Sequence, residues 1–166
     1  MSRMEMMYVR QFRQLVVHPV FLAAITSLIL AQVLKAIIIL LTRPRTRPRR
    51  SFKEVMYALL WKTGGMPSSH SALVSALATS VGFTEGFDSS IFIVSLCLAL
   101  IVIRDAMGVR RSAGLQARSL NMLGKHINDR FGIEYYPLKE IQGHAPLEVL
   151  VGALLGLLIA SAIVLL

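Results

Sequence analysis

Residues 19–41 read PVFLAAITSLILAQVLKAIIILL. Apart from two small hydroxyl residues, the run is apolar except for Gln32 and Lys35. A helix that crosses a bilayer needs about 20 mostly apolar residues, and this run supplies them. Two later stretches repeat the pattern. One runs from Ser89 to about Ile103 and ends at Arg104-Asp105; the other runs from Leu147 to Leu166 with no charge after Glu148. Between the first run and these two lies Pro67 to Phe83, shorter and rich in Ser, Ala and Thr. Its small residues recur at helical spacing: Ser71, Ser75 and Thr79 on one face, Ala72, Ala76 and Ser80 beside them. That pattern suits a helix packed among helices rather than one facing lipid. The expected fold is all-α: a polytopic membrane helix bundle of about four transmembrane helices (19–42, 67–83, 89–107 and 146–166) plus interfacial helices, forming one membrane domain over 1–166.

Composition agrees. Hydrophobic residues make up 55% of the 166 and charged residues 16%, with a mean hydropathy of +0.63. Soluble domains carry about 25% charged residues, so a disordered chain, a coiled coil and an ordinary soluble enzyme are all disfavoured. Cys97 is the one cysteine, which excludes a disulfide framework and a cysteine-based zinc site. The net charge is +9. In an apolar chain this excess reports orientation and contact with anionic lipid or phosphate rather than nucleic acid.

The loops differ in charge. Arg43 to Met66 carries seven basic residues against Glu54, and Arg104 to Gly143 carries seven basic against four acidic. The short Gly82–Asp88 connection carries only Glu85 and Asp88. The excess of Lys and Arg in cytoplasmic loops puts both long basic loops inside and both termini outside, in a multi-pass protein of the cell (inner) membrane. No cleavable signal peptide is expected, since the first apolar run is too long for one. Residues 1–18 place Met4, Met7, Phe12, Leu15 and Val16 among arginines, which suits either an interfacial amphipathic helix or a solvated end. Residues 109–128 place Leu115, Leu120, Leu123 and Ile127 at helical spacing among Arg111, Arg118 and Lys125, predicting a helix at the membrane surface.

Ionisable groups at membrane helices are functional candidates, and here the expected topology puts four clusters at one membrane depth. Lys35 and Arg43 end the first span. Gly64-Gly65-Met66-Pro67-Ser68-Ser69-His70-Ser71 opens the second. A helix start with free N–H groups binds anions, and His70 in its first turn could protonate a bound oxygen. The same residues also suit a plain N-capped helix. Arg104, Asp105, Arg110 and Arg111 end the third span. Paired arginines fit phosphate and equally fit a stop-transfer flank. His144 and Glu148 open the fourth at i, i+4 and share a helix face. A carboxylate on one imidazole nitrogen raises the basicity of the other, which suits a nucleophile, or the two form an interfacial hydrogen bond.

These stretches occur in one order: Ala31-Gln32-x-x-Lys35; Gly64 to Ser71; Asp105-Ala106-x-Gly108-Val109-Arg110-Arg111 with Ala113-Gly114-x-Gln116-Ala117; Leu120-Asn121; and Leu138-Lys139-Glu140-x-x-Gly143-His144-x-Pro146-x-Glu148. The chain thereby resembles the divergent type 2 phosphatidic acid phosphatase family, related to acid phosphatases and vanadium-dependent haloperoxidases. The wider superfamily has a first motif of Lys, six residues and Arg-Pro; here seven residues separate Lys35 from Arg43-Pro44. Its Pro-Ser-Gly-His stands as Pro67-Ser68-Ser69-His70. Of its third motif only His144 and Glu148 remain, Glu replacing Asp, and Leu138 stands where an arginine belongs.

The resemblance implies that His144 attacks phosphorus, that Glu148 orients it, and that His70 protonates the leaving oxygen and later activates water. It implies that Lys35, Arg43, Ser68 and Ser69 hold the phosphate without metal or cofactor, with Arg110 or Arg111, beside Asp105, standing in for the missing arginine. The expected activity is hydrolysis of a lipid phosphate, phosphatidate-like or isoprenyl, through a phosphohistidine at the cytoplasmic face. The alternative is a non-catalytic scaffold or transport component that binds phosphate or anionic lipid. The expected partners are membrane lipid and the lipid phosphate, with a homodimer completing the helix packing.

Overall fold

The structure is a computed structural model that describes residues 2–42, 65–140 and 143–166. Six helices and no strand are found among them: α1 (Arg3–Val16), α2 (Pro19–Leu41), α3 (Ser69–Glu85), α4 (Ser90–Met107), α5 (Val109–Phe131) and α6 (Pro146–Leu165). The fold is therefore the expected all-α membrane bundle. Among the described residues three helical stretches are long and apolar enough to cross a membrane: Pro19–Leu41, Ser90–Phe131 (whose apolar part is α4) and Pro146–Leu165.

The expected fourth span, α3, has 17 residues and covers about 25 Å at 1.5 Å per residue. It is the central helix, packed against α2, α4 and α6. Its hydropathy is low because its neighbours are helices, not lipid. Ser80, for instance, is fully buried and its hydroxyl donates to the Ala76 carbonyl.

Small residues four apart build the packing. On α2 the buried series is Ala23, Ser27, Ala31 and Lys35; on α3 it includes Ala72, Ala76 and Ser80; on α6 it includes Gly152, Gly156 and Ala160. Rows of residues spaced by four form ridges that interlock between helices, and small side chains let the backbones approach. The approach between α3 and α6 is limiting. A Cβ on Gly152 would overlap the Ser68 carbonyl, and one on Gly156 would overlap that of Ala72. The opposite face of α3 meets α4 through Val74, Ala78 and Ala99.

The connections follow local chemistry. Ser89 caps α4, accepting from the Phe92 N–H at 3.2 Å. At Gly108 the backbone leaves helical values (φ −100°, ψ −83°), separating α4 from α5. Among the described helices α5 touches α4 alone, and it leaves Leu115, Leu120 and Leu123 exposed. After Gly132, left-handed at φ +68°, residues 133–140 run back beside α5. The Asn121 side chain clasps Leu138 there, donating to its carbonyl at 2.9 Å and accepting from its N–H at 2.7 Å. This return delivers the chain to Gly143, whose α-carbon lies against the backbone of Arg111.

The N-terminal segment is a capped helix, exposed along its whole length. Ser2 and Glu5 form a reciprocal capping box, at 2.6 and 3.2 Å. By helical spacing Met4, Tyr8, Phe12 and Leu15 share one side and Arg3, Arg10 and Arg13 the other.

Candidate active site

The site forms where α3 and α6 begin and where α2 and α4 end. Ser68 is the N-cap of α3, fully buried. Its Oγ accepts from the Ser71 N–H at 3.4 Å and from the Ser71 hydroxyl at 2.9 Å. Its own N–H donates to the Glu148 carbonyl at 2.9 Å, which ties the start of α3 to the first turn of α6. Of the first-turn N–H groups that an α-helix leaves without intrahelical acceptors, those of Ser69 and His70 are the ones that this cap leaves to an incoming anion.

Pro146 opens α6, and Glu148 reaches back over the turn. One carboxylate oxygen, Oε2, accepts from the Ala145 N–H at 3.2 Å and lies 2.9 Å from His144 Nδ1. An ionised carboxylate can only accept, so Nδ1 carries a hydrogen, and in the neutral ring Nε2 is the nitrogen with the lone pair. The His144 backbone is pinned as well, donating to the Ala106 carbonyl at 3.1 Å. With 7% of its surface exposed, the residue has little freedom to turn.

Three further charges converge on this pair. Lys35, 6% exposed, sits under Gly65: a Cβ on that glycine would stand 3.1 Å from the lysine Cε. Lys35 and Glu148 attract each other electrostatically. His70, exposed in the second position of α3, lies within electrostatic reach of Arg110, His144 and Lys35. Arg110 in turn pairs with Asp105, Nε to Oδ2 at 2.6 Å, with both side chains accessible to solvent. Two histidines, two cations and two carboxylates therefore share one end of the bundle. Among the described residues, no three or more His, Cys, Asp or Glu side chains cluster as a metal-ligand set would.

The remaining expected site residues fall as follows. Ser69 is buried at the helix start. Arg111 has its backbone against Gly143 and an exposed side chain. Arg43 lies outside the described residues. Sequence reasoning missed the supporting contacts: the Ser68-to-Glu148 backbone bond, the Ala106 carbonyl under His144, and the closeness of Gly65 to Lys35. The glycines at 65 and 143 were the available signal, since each stands where a side chain would meet the site's own residues.

No solved structure matches the chain. A protein titled "Uncharacterized membrane protein YuiD" from Bacillus subtilis (strain 168) is 41% identical over 150 residues, spanning 83% of this chain and 89% of the relative. The model of the Divergent PAP2 family matches residues 16–159, which include every candidate site residue above. Together with its apolar helices, these matches make the protein a multi-pass integral membrane protein of the Divergent PAP2 family.

Proposed function

We propose that the protein is a lipid phosphate phosphatase that works through a phosphohistidine at the cytoplasmic face of the membrane. The observation that carries the reading is the His144–Glu148 pair, with Nδ1 held at 2.9 Å from the carboxylate and Nε2 left as the basic nitrogen, beside a second histidine.

In this mechanism His144 Nε2 attacks phosphorus. A P–N bond forms as the P–O bond to the lipid alcohol breaks, and the leaving oxygen takes a proton from His70. His70 then removes a proton from water, whose oxygen attacks phosphorus. The P–N bond breaks and inorganic phosphate leaves. Glu148 stabilises the positive charge that develops on the His144 ring in the first step. Lys35, Arg110 and the Ser69 and His70 N–H groups face the equatorial oxygens, where phosphoryl transfer needs positive charge. Ser68 contributes through its cap and its bond to Glu148, its hydroxyl being engaged by Ser71. Arg43 belongs to the same phosphate set by the first-motif resemblance. Arg110 takes the part of the missing third-motif arginine in preference to Arg111, because its charge reaches His70. A site at the ends of spanning helices receives a headgroup while the substrate's tails stay in lipid, which favours phosphatidate-like and isoprenyl phosphates.

A second reading has one observation in its favour. Asp105 occupies Arg110 at 2.6 Å, which offsets part of the positive charge that turnover requires and leaves a site suited to binding anions. The deciding experiment follows phosphate release by purified protein from phosphatidate, lysophosphatidate and isoprenyl phosphates. Release that vanishes in His144→Ala and is blocked by vanadate, a transition-state mimic, supports the enzyme. Lipid phosphate binding without release from any substrate supports the scaffold.

A further inference from the structure

The bend at Gly108 forms an open cleft of about 620 Å³ lined by Arg104, Met107, Gly108, Val109, Ser112, Ala113 and Gln116. None of Lys35, His70, Asp105, Arg110, His144 and Glu148 lines it. It is therefore separate from the phosphatase site, although both use the end of α4. One wall is the last turn of a spanning helix and the other is the first two turns of α5, which touches no other described helix.

We propose that this elbow is a binding site for one anionic phospholipid of the surrounding bilayer, with the headgroup phosphate on Arg104 and an acyl chain along Met107, Val109 and Ala113. Charge complementarity carries the choice of ligand. Arg104 sits where the apolar run of α4 ends, at headgroup depth, and no carboxylate pairs with it among the described residues. A planar guanidinium matches phosphate oxygens with two parallel bonds. Ser112 and Gln116 stand one turn apart on the α5 wall, so a hydroxyl and an amide flank the guanidinium where a headgroup's ester and glycerol oxygens would lie. The rest of the lining is apolar, as an acyl chain requires. Gly108 makes the elbow: a Cβ there would stand 3.0 Å from the Arg104 carbonyl, so a larger residue would push on the backbone that carries the arginine. The site holds α5 to the membrane plane, and with it the Arg111 backbone that Gly143 rests on.

The test is native mass spectrometry of the purified full chain in detergent, titrated with phosphatidylglycerol and, in parallel, with phosphatidylcholine. The wild type is expected to retain one phosphatidylglycerol in clear preference to phosphatidylcholine. Arg104→Gln should weaken that retention by about tenfold, the effect of losing one charge-assisted pair, and Ala113→Trp, which obstructs the apolar part of the cleft, should weaken retention of both lipids. Arg118→Gln, on α5 but outside the lining, should leave retention unchanged. Thermal unfolding confirms that each variant is folded. Equal retention in wild type and in both elbow variants overturns the proposal. So does an equal loss in Arg118→Gln, which would mean diffuse attraction to a basic helix, and so does displacement of the bound lipid by millimolar inorganic phosphate, which would mean a free-phosphate site.

Discussion

Glu148 does two things with one oxygen: it caps the first turn of α6 through the Ala145 N–H, and it fixes the His144 ring. The two tasks separate by substitution. Glu148→Gln keeps an acceptor for the turn but removes the charge that supports a cationic imidazole. Phosphate release should therefore fall between about 10²- and 10⁴-fold with little change in thermal midpoint. Glu148→Ala should lose activity as well and destabilise by about 1 kcal/mol, the cost of a lost cap. Release assays and thermal unfolding on both variants check this. The arginines separate in the same way. Arg110→Ala should cost about 10²-fold or more in release and weaken vanadate inhibition, whereas Arg111→Ala, whose side chain points to solvent, should cost less than tenfold. Equal losses would undo the assignment of Arg110. This choice could not be read from the sequence, because adjacent helical residues differ by about 100° in direction and only the bend at Gly108 determines which arginine turns toward His70.

The central helix shows what periodicity can and cannot supply. Hydropathy registers α2, α4 and α6 because their outer surfaces meet lipid. It under-reads α3, whose hydroxyls are satisfied inside the bundle. Small-residue spacing still betrayed α3 as a packed helix, although the reading began it two residues early: Pro67 and Ser68 form the cap, and the helix proper starts at Ser69. The His144–Glu148 pair was legible because i, i+4 spacing on a helix start fixes the partners. The Ser68 bond to Glu148 was not, because a backbone contact between distant segments leaves no mark on residue type except the glycines that permit it. Gly156 is such a mark. Gly156→Leu would drive a side chain into the Ala72 carbonyl. Since backbone cannot rotate away as a side chain can, the cost should exceed the roughly 1–3 kcal/mol of ordinary overpacking. The thermal midpoint should drop by about 5 °C or more, or the protein should fail to elute as a single species. Leu158→Ala, on the exposed face of the same helix, should change the midpoint by about 1 °C or less. A matched loss in Leu158→Ala would show that α6 depends on its outer surface rather than on the α3 contact.

At the scale of the whole molecule, the two ends of the bundle differ in charge. The site end carries Arg104, Arg110, Arg111 and the cations of α5; the α3–α4 turn carries only Glu85 and Asp88. By the positive-inside rule this asymmetry predicts that the site end faces the cytoplasm, as in the orientation proposed above. The one contrary feature is α1, whose three arginines enter α2 at the end opposite Lys35. Their lengthwise apolar stripe accounts for this, since an amphipathic basic helix binds an anionic leaflet on either side of a membrane. The arrangement is testable with cysteine labelling, because Cys97 is the chain's one cysteine. In a Cys97→Ala background, Glu85→Cys should react with a membrane-impermeant maleimide on intact cells. Glu134→Cys, in the return segment beside α5, should react only after permeabilisation. The reverse pattern would turn the site to the outer face. The proposed phosphohistidine mechanism would survive that result, because it rests on the Glu148–His144 geometry and not on the leaflet. The substrate would change: a site facing outward can reach only lipid phosphates in, or flipped to, the outer leaflet, and the lipid panel would have to be chosen accordingly.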